Sequence, residues 1–556
     1  MIRLNTILLA LFLSASAMAQ DWAKKEFQAV FTLKTFSSDG SLIGSSTGFF
    51  IDSQGTAISG FSPFKGASNA TIIDSQSNEY QVECILGAND DYDLAKFKVD
   101  SKKTIPLPPA DQSPSEGDQL WLMTYSVKKA PKCQETTVKN VQKVTKGFDY
   151  FTISLPADET IYNCPLLNSQ GQVVAMIQQG GSPSDSLGYA VSTDFAASLS
   201  VSGLSLNDPT LKTTNLPIAI PDDPQQAILM LYIAASGLDS LQFDKLIERF
   251  IIKHPNIVDG YVYKAQIATT DGRFEDADTQ MNLAVKNTDN KDEAHFSYAK
   301  LIYQQLLLQT PNIHTSWTFD KAVQETEAAI NINPLLPYKQ LKAEILFSDK
   351  KFQDALDVYM QEINNGNRQA DLWFAAARCQ EELGDTAACI QLLDSAIASF
   401  SKPWLKDVAP YLLARAQVYL KTGKNRLAII DLSDYETLMS SQLNDNFYYI
   451  RFQAALSAKL YQQALNDIKT AISKAPDNLI YYSEKASLEV RVALYDEAIT
   501  TANELIMLDP QASDGYLFLG LAQCLKGDKT EGTANLTKAA QMGETQANEL
   551  IEKYGK

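Results

Sequence analysis

Residues 48–59 read GFFIDSQGTAIS, and this stretch decides how the first part of the chain folds. Aromatic and β-branched residues stand on both sides of Gln54 and Gly55, and a glycine after a polar residue marks a turn. The stretch therefore predicts two short strands joined by a tight turn. Similar runs, separated by turn signals at intervals of roughly 8 to 12 residues, extend from about residue 24 to about residue 200. Such spacing is typical of an all-β sandwich or barrel.

The sequence changes character after this β region. Residues 206–222 are rich in proline and aspartate and are predicted to form a linker. Further on, motifs of the form aromatic-x-x-small recur within helical patterns. Five copies have this form, and three weaker copies lack the aromatic residue. The small residues of all eight copies are Ala277, Ala322, Ala355, Cys389, Ala428, Ala464, Ala498 and Gly532. Most of them are about 34 residues apart, which is the signature of helix–turn–helix repeats.

Prolines keep the same phase as these small residues, as at Pro334, Pro476 and Pro510. Two antiparallel helices approach closely only where small residues face each other, and a proline ends the second helix. The sequence therefore predicts an all-α region of about eight helix pairs over residues 256–544. Residues 223–255 are expected to form a degenerate repeat or cap, and residues 545–556 a closing helix.

Charge argues against two classes of partner. The chain of 556 residues has 48 basic and 66 acidic residues, a net charge of −18. Affinity for nucleic acid depends on Lys and Arg that neutralise phosphates, so we expect no nucleic-acid binding. A basic amphipathic stretch that would hold a membrane surface is also missing from the sequence.

The first 19 residues have the features of a signal peptide. Arg3 supplies the positive charge, Ile7–Leu13 the apolar run and Ala17–Ala19 a small-residue cleavage site. The expected mature chain starts at Gln20. The apolar run is too short to span a bilayer. We expect a bacterial exported protein without membrane insertion, periplasmic or, alternatively, secreted.

Residues 20–205 resemble the trypsin-like serine proteases of the HtrA type. Besides residues 48–59, the resemblance rests on DYDLAKFKV at 91–99 and PLLNSQG at 165–171. It implies a double β-barrel in which the catalytic histidine, aspartate and serine would fall at about Ser62, at Asp93 and at Tyr162. Two of these three positions therefore carry the wrong residue for the family's chemistry.

No nearby residue replaces the missing groups. The three histidines of the chain, His254, His295 and His314, all lie downstream of this region. A serine nucleophile needs a base at neutral pH, and the imidazole is the usual one. The residues before Pro165 also lack the glycines that form the family's oxyanion hole. We therefore predict no catalytic residues, so that Ser62, Asp93 and Tyr162 mark a vacated triad.

The same resemblance places Cys133 and Cys164 near this vacated site. They are a candidate disulfide pair, and buried free thiols are an equal alternative. The spacing of the six cysteines does not match a zinc site. We predict no metal and no cofactor.

Residues 256–544 resemble the tetratricopeptide repeat family, and the copy LYDEAITTANELIMLDP at 494–510 is especially close to its pattern. The resemblance implies a superhelical solenoid whose concave face, lined by the first helix of each pair, binds a protein or peptide. Aromatic residues and arginine are enriched where partners are gripped. The groove-facing candidates are Phe374, Arg378, Gln417, Tyr449 and Gln453. The alternative for the aromatic members is packing between repeats.

Together these features predict a non-catalytic protein- or peptide-binding scaffold of the cell envelope. One alternative is an active trypsin-like serine endopeptidase whose repeats recruit substrates or partners. Another is a structural assembly factor in which the barrels only cap the repeats. The sequence leaves the oligomeric state open.

Overall fold

The computed structural model describes residues 22–101, 103–124, 132–155, 159–180 and 186–555. Residues 1–19, the predicted signal peptide, lie outside this range. The chain divides into two compact units, Met1–Ala294 and His295–Lys556. In the described residues, no helix is both long and apolar enough to cross a membrane.

The first six strands form a closed antiparallel barrel in the order β1-β2-β3-β6-β5-β4. Strands β1 to β6 are Val30–Phe36, Leu42–Phe50, Thr56–Ser59, Asn69–Ile73, Glu79–Asn89 and Leu94–Val99. The predicted hairpin is β2 and β3, with Phe49 opposite Ile58. Its turn needs Gly55, which has a φ of 93° and no room for a side chain beside the Val99 carbonyl. Large apolar side chains such as Phe31 and Phe97 fill the barrel.

The next six strands form a second closed barrel in the order β10-β11-β12-β9-β8-β7. Strands β7 to β12 are Gln119–Thr124, Lys132–Lys143, Asp149–Ile153, Pro165–Leu167, Val173–Gln178 and Gly188–Ser192. Leu166, Phe151 and Ile177 are fully buried inside it. A further core joins the two barrels, because Phe49 of the first packs with Met176 of the second. The predicted double barrel is confirmed.

Residues 206–222 are packed, contrary to the linker predicted for them. They follow the short helix α1 (Thr193–Ser198). Leu211 and Leu216 belong to the core of the first barrel. The Ile85 N–H in β5 donates to the Pro217 carbonyl at 2.9 Å, and the Ala219 N–H donates to the Ile85 carbonyl at 2.8 Å. We call residues 206–222 the strap; its prolines suggested an exposed loop, but its apolar side chains are buried.

Four complete helices follow the strap within the first unit: α2 (Pro224–Gly237), α3 (Ser240–Lys253), α4 (Val258–Thr270) and α5 (Phe274–Asn287). Asp223 caps α2, since its carboxylate accepts from the Gln226 N–H at 2.9 Å. Helix α3 holds the strap: Arg249 Nη2 donates to the Ile218 carbonyl at 2.6 Å, and His254 Nε2 lies 2.8 Å from the Pro221 carbonyl oxygen. The barrels, the strap and these helices are thus parts of one packed unit.

Helix α6 (Lys291–Leu307) contains the boundary between the units, and the second unit is all-α. Helices α7 to α13 are Phe319–Ile332, Leu336–Ser348, Phe352–Asn364, Ala370–Leu383, Thr386–Ala398, Ala409–Lys421 and Asn425–Met439. Helices α14 to α20 are Asp445–Ser457, Tyr461–Lys474, Leu479–Arg491, Tyr495–Leu508, Ser513–Lys526, Lys529–Gln541 and Gln546–Tyr554. The repeat phase predicted from small residues is confirmed at Gly520 and Gly532, where a Cβ on Gly532 would lie 2.8 Å from the Gly520 carbonyl oxygen.

Candidate functional site

Ser62, Asp93 and Tyr162 line a single cleft between the two barrels, with a volume of about 430 Å³. Ser62 begins a short 3-10 turn after β3, Asp93 directly precedes β6, and Tyr162 lies shortly before β10. The three positions that the sequence assigned to one site are therefore brought together by the fold. Much of the remaining lining carries hydroxyl and amide groups, including Thr32 and Gln179.

Asp93 is engaged by Ser62. The Ser62 N–H donates to Asp93 Oδ1 at 2.5 Å, and the Ser62 hydroxyl donates to the same oxygen at 2.8 Å. Asp93 is half-buried, whereas Ser62 is exposed at the mouth of the cleft. This serine stands where the resemblance places an imidazole, so the carboxylate oxygen already has two donors.

Asn163 adds a second polar centre to the cleft. It is buried, its N–H donates to the Ile177 carbonyl at 3.0 Å, and its Nδ2 donates to Ser46 Oγ at 2.8 Å. Ser46 Oγ in turn lies 3.3 Å from Ser59 Oγ. These hydrogen-bonded side chains connect the segment before β10 to strands β2 and β3 of the first barrel.

Two residues of the cleft have left-handed backbone conformations, Asp93 with a φ of 44° and Asn163 with a φ of 63°. Asp and Asn tolerate this region better than other side chains, and such strain gathers at ligand sites. Both side chains close on Gly60: a Cβ there would lie 2.7 Å from Asn163 Nδ2 and 2.8 Å from Asp93 Oδ2. A larger residue at this position would require the Asn163 and Asp93 side chains to shift.

The cleft has an acidic lining. Within the part of the chain that the structure describes, its charged lining residues are Asp93 and Glu159, and no cationic side chain lines it. The geometry thus supplies carboxylates, hydroxyls, amides and one aromatic ring, which suits hydrogen bonding to a ligand.

The candidate Cys133–Cys164 disulfide is not formed. All six cysteines lie in the described ranges, and none of them is in a disulfide. Strand β7 lies between β8, which carries Cys133, and β10, which begins one residue after Cys164. Two inter-strand spacings of about 4.8 Å exceed the Cα separation of about 7 Å that a disulfide can span. Cys164 is instead fully buried in the second barrel.

The groove candidates of the second unit fall into two groups and a single residue. Phe374 and Arg378 lie one turn apart on α10, with the Phe374 ring edge-on to Tyr411 at 5.5 Å. Tyr449 and Gln453 share α14 in the same way, whereas Gln417 is exposed on α12.

Aromatic packing explains part of this set. The Tyr449 ring lies 5.0 Å from that of Tyr481 and 5.9 Å from that of Phe452. Phe374 packs on Tyr411, as described above. These two aromatic side chains therefore contribute at least in part to packing, the alternative that the sequence left open.

Arg378 also lines a pocket of about 480 Å³ that the sequence did not predict. Its other walls include Tyr303 of α6, Glu344 and Phe347 of α8, and Tyr359 of α9. Burial raises the pKa of Tyr359 and of Glu344, and the Arg378 charge opposes this for both groups. By repeat phase Tyr359 is a core position. The sequence gives a single sign of this pocket: the residue at position 359 is a tyrosine, although an aliphatic side chain without a hydroxyl would fill a core position.

Comparison with known proteins finds similar proteins for the β-barrel region and for the helical region. The family model of the trypsin-like peptidase domain matches residues 46–176. A protease of M. tuberculosis in its active form is 15% identical, with a TM-score of 0.28, over 32% of this chain and 81% of that one. A serine endoprotease of Yersinia pestis is 13% identical, with a TM-score of 0.29, over 33% of this chain and 63% of that one.

The curated relatives match short parts of the chain. The chain is 30% identical over 99 residues to small glutamine-rich tetratricopeptide repeat-containing protein 2 of Saccharomyces cerevisiae, covering 18% of this chain and 29% of that protein. It is 32% identical over 91 residues to heat shock protein STI1 of the same yeast, covering 16% of this chain and 15% of that protein. The chain thus spans less than a third of the length of these relatives. Residues 46–176 thus match the trypsin-like peptidase domain family, and the helical region behind them is similar to tetratricopeptide repeat proteins.

Proposed function

We propose that this chain is a non-catalytic protein-binding scaffold in which a trypsin-like domain without peptidase chemistry precedes peptide-binding helical repeats. The observation that carries the proposal is the contact between Asp93 and Ser62. In a working triad the carboxylate orients an imidazole and stabilises its charged form. Here both the N–H and the hydroxyl of Ser62 donate to Asp93 Oδ1.

The nucleophile position supports the same proposal. Tyr162 lines the cleft where the family has serine. A hydroxyl nucleophile needs a base to take its proton at neutral pH. Residues 20–205 contain no histidine, and Asp93 Oδ1 already accepts two hydrogen bonds.

Loss of chemistry leaves the shape of the cleft intact. Its hydroxyl, amide and carboxylate groups are the kinds of group that recognise an extended peptide. We propose that the cleft holds a peptide or protein segment without cleaving it. The repeats supply a second binding surface, of the kind that stacked helix pairs provide.

We also propose that the protein works in the cell envelope, with the periplasm preferred over the medium. This rests on residues 1–19, whose charge, apolar run and small-residue cleavage site fit a signal peptide. Processing at Gln20 would be visible by amino-terminal sequencing of the protein recovered from fractionated cells, and an intact Met1 would contradict it.

Peptidase activity tests the central proposal. The purified full chain is expected to leave casein uncleaved and to take no label from a fluorophosphonate probe for active serines, while trypsin at equal concentration does both. The variant Tyr162→Ser places the family's serine hydroxyl at this position but adds no base, and it is expected to stay inactive. Casein cleavage by the wild-type chain that a serine-protease inhibitor blocks would instead establish the alternative, an active endopeptidase.

A further inference from the structure

The pocket beside Arg378 is lined by a tyrosine that is almost fully buried and whose hydroxyl opens into the pocket. Tyr359 is 5% exposed, and its hydroxyl forms no hydrogen bond with any residue in the described part of the chain. A hydroxyl that opens into a pocket is free to donate a hydrogen bond to water or to a ligand there. Tyr359 is among the residues that line the pocket, so a ligand inside it can supply the missing acceptor.

Arg378 supplies further donors. Its guanidinium lies 4.5 Å above the centre of the Phe347 ring and forms no ion pair with any described residue. No described residue accepts a side-chain hydrogen bond from Arg378, so its N–H groups are available to a ligand. The pocket thus presents fixed donors from two side chains, Arg378 and Tyr359.

Acceptors face the same space. Glu344 and Glu382 line the pocket without a described cationic partner within ion-pair distance. The Tyr303 hydroxyl lies 2.8 Å from Ser348 Oγ, and either group can be the donor. This pair can turn to donate or accept.

The charges of the lining select among ligands. Arg378 and Lys350 are positive, and Glu344 and Glu382 are negative, so the lining is neutral overall. A carboxylate in the pocket would be attracted by the two cations and repelled by the two carboxylates, and an ammonium group the reverse, so the lining gives neither charged group a net advantage. A neutral group that both accepts and donates avoids both penalties.

We propose that this pocket binds the uncharged carboxamide of an Asn or Gln side chain in a bound peptide. Its carbonyl oxygen accepts hydrogen bonds from Tyr359 and Arg378, and its NH₂ group donates to Glu344. The inference deepens the proposed function and rests on it, because it names the chemical group that the peptide presents to the repeats.

Three small probes with the same main-chain amides test this. N-acetyl-glutamine N-methylamide is titrated into the full chain by saturation-transfer NMR, beside the matching glutamate and lysine compounds. The glutamine probe is expected to bind at least fivefold more tightly than either charged probe. Because the main-chain amides are shared, the difference belongs to the side chain.

Variants then locate the site. Tyr359→Phe removes only the hydroxyl and is expected to weaken binding of the glutamine probe at least fivefold, with no drop in Tm. Arg378→Met keeps an apolar stem over Phe347 and is expected to weaken it at least tenfold. Tyr482→Phe is the matched control, since Tyr482 is also buried but donates to the Pro476 carbonyl at 3.0 Å; it should bind as wild type.

Equal binding of the three probes, or an unchanged affinity in Tyr359→Phe, would overturn the inference. The proposed function is tested separately, by the casein assay and by retention of peptides on the immobilised full chain. A chain that retains peptides but does not distinguish the probes would keep the proposed function and lose the carboxamide site. A chain that cleaves casein would lose the proposed function whatever the probes do.

Discussion

Single residues decide the chemistry of the cleft. Asp93 and Asn163 both adopt left-handed conformations, and their side chains close on Gly60, which has no room for a Cβ. Ser62 then occupies one oxygen of Asp93 with two hydrogen bonds. The result is a preformed polar cluster, at the position to which the family resemblance assigns the catalytic site, whose carboxylate is engaged by hydrogen bonds within the protein.

Gly60→Ala tests how tightly this cluster is packed. The added methyl group would overlap Asn163 Nδ2 and Asp93 Oδ2, so we expect a loss of about 1–3 kcal/mol in the free energy of unfolding, measured by urea denaturation. Gly180→Ala is the control, because among the described residues its Cβ would meet Tyr189 alone, at 3.4 Å, an ordinary contact. Equal stability of the two variants would show that the cluster relaxes freely.

Pairs of helices are held by buried charges. Arg451 of α14 donates to both carboxylate oxygens of Asp467 of α15, the shortest contact being 2.7 Å, and both side chains are almost fully buried. Arg451 also donates to Glu436 at 2.7 Å. The same sixteen-residue separation recurs between Arg415 and Asp431 in the preceding pair.

Asp467→Ala is expected to destabilise the second unit by about 3–5 kcal/mol, because it leaves Arg451 buried without its main partner. Thermal or urea unfolding of the full chain measures this. Asp496→Ala removes the exposed partner of Lys526 and should cost less than about 1 kcal/mol. Similar losses in the two variants would contradict a special role for the buried pair.

The contact between His295 of α6 and Glu325 of α7 is expected to depend on pH. Burial alone would raise the pKa of Glu325, but hydrogen bonds from His295 and Lys321 bring it below its ordinary value of 4.5. A carboxyl whose pKa is lowered by folding stabilises the fold above its unfolded-state pKa, and this stability is lost as the pH falls through the folded-state pKa.

We therefore expect the urea midpoint of the wild-type chain to fall more steeply than that of Glu325→Gln as the pH drops below about 4.5. The two curves are measured from pH 7 down to pH 3 under the same salt. Parallel curves over this range would mean that Glu325 does not contribute to the acid dependence.

The whole first unit depends on the strap. Leu216 is 5% exposed and lies in the first barrel's core, although it is far from that barrel's strands in sequence. Leu216→Ala is expected to cost about 2–5 kcal/mol and to speed hydrogen exchange in β5. Leu204→Ala, at a 59% exposed position, should change neither. If hydrogen exchange in β5 of Leu216→Ala equals that of the wild-type chain, the strap does not support the barrel and acts only as a linker.

The features that the sequence predicted correctly are local. The hairpin around Gly55 and the repeat phase ending at Gly532 follow from periodicity within a few dozen residues. The features that were missed depend on contacts between distant positions, as between Ile85 and Pro217. The wrong disulfide has the same cause: strand order, which periodicity does not contain, puts β7 between the two cysteines.

The strap also sets the order in which the protein can be made. The strands of the first barrel end at Val99, but Leu211 and Leu216, which complete its core, are synthesised more than a hundred residues later. The core of that barrel is therefore incomplete in a nascent chain until the second barrel and the strap have been synthesised. Long-range closure of this kind slows folding and prolongs exposure of apolar strands. A chaperone that acts on the growing chain would therefore have the longest time to bind the first barrel between the synthesis of Val99 and the synthesis of Leu216.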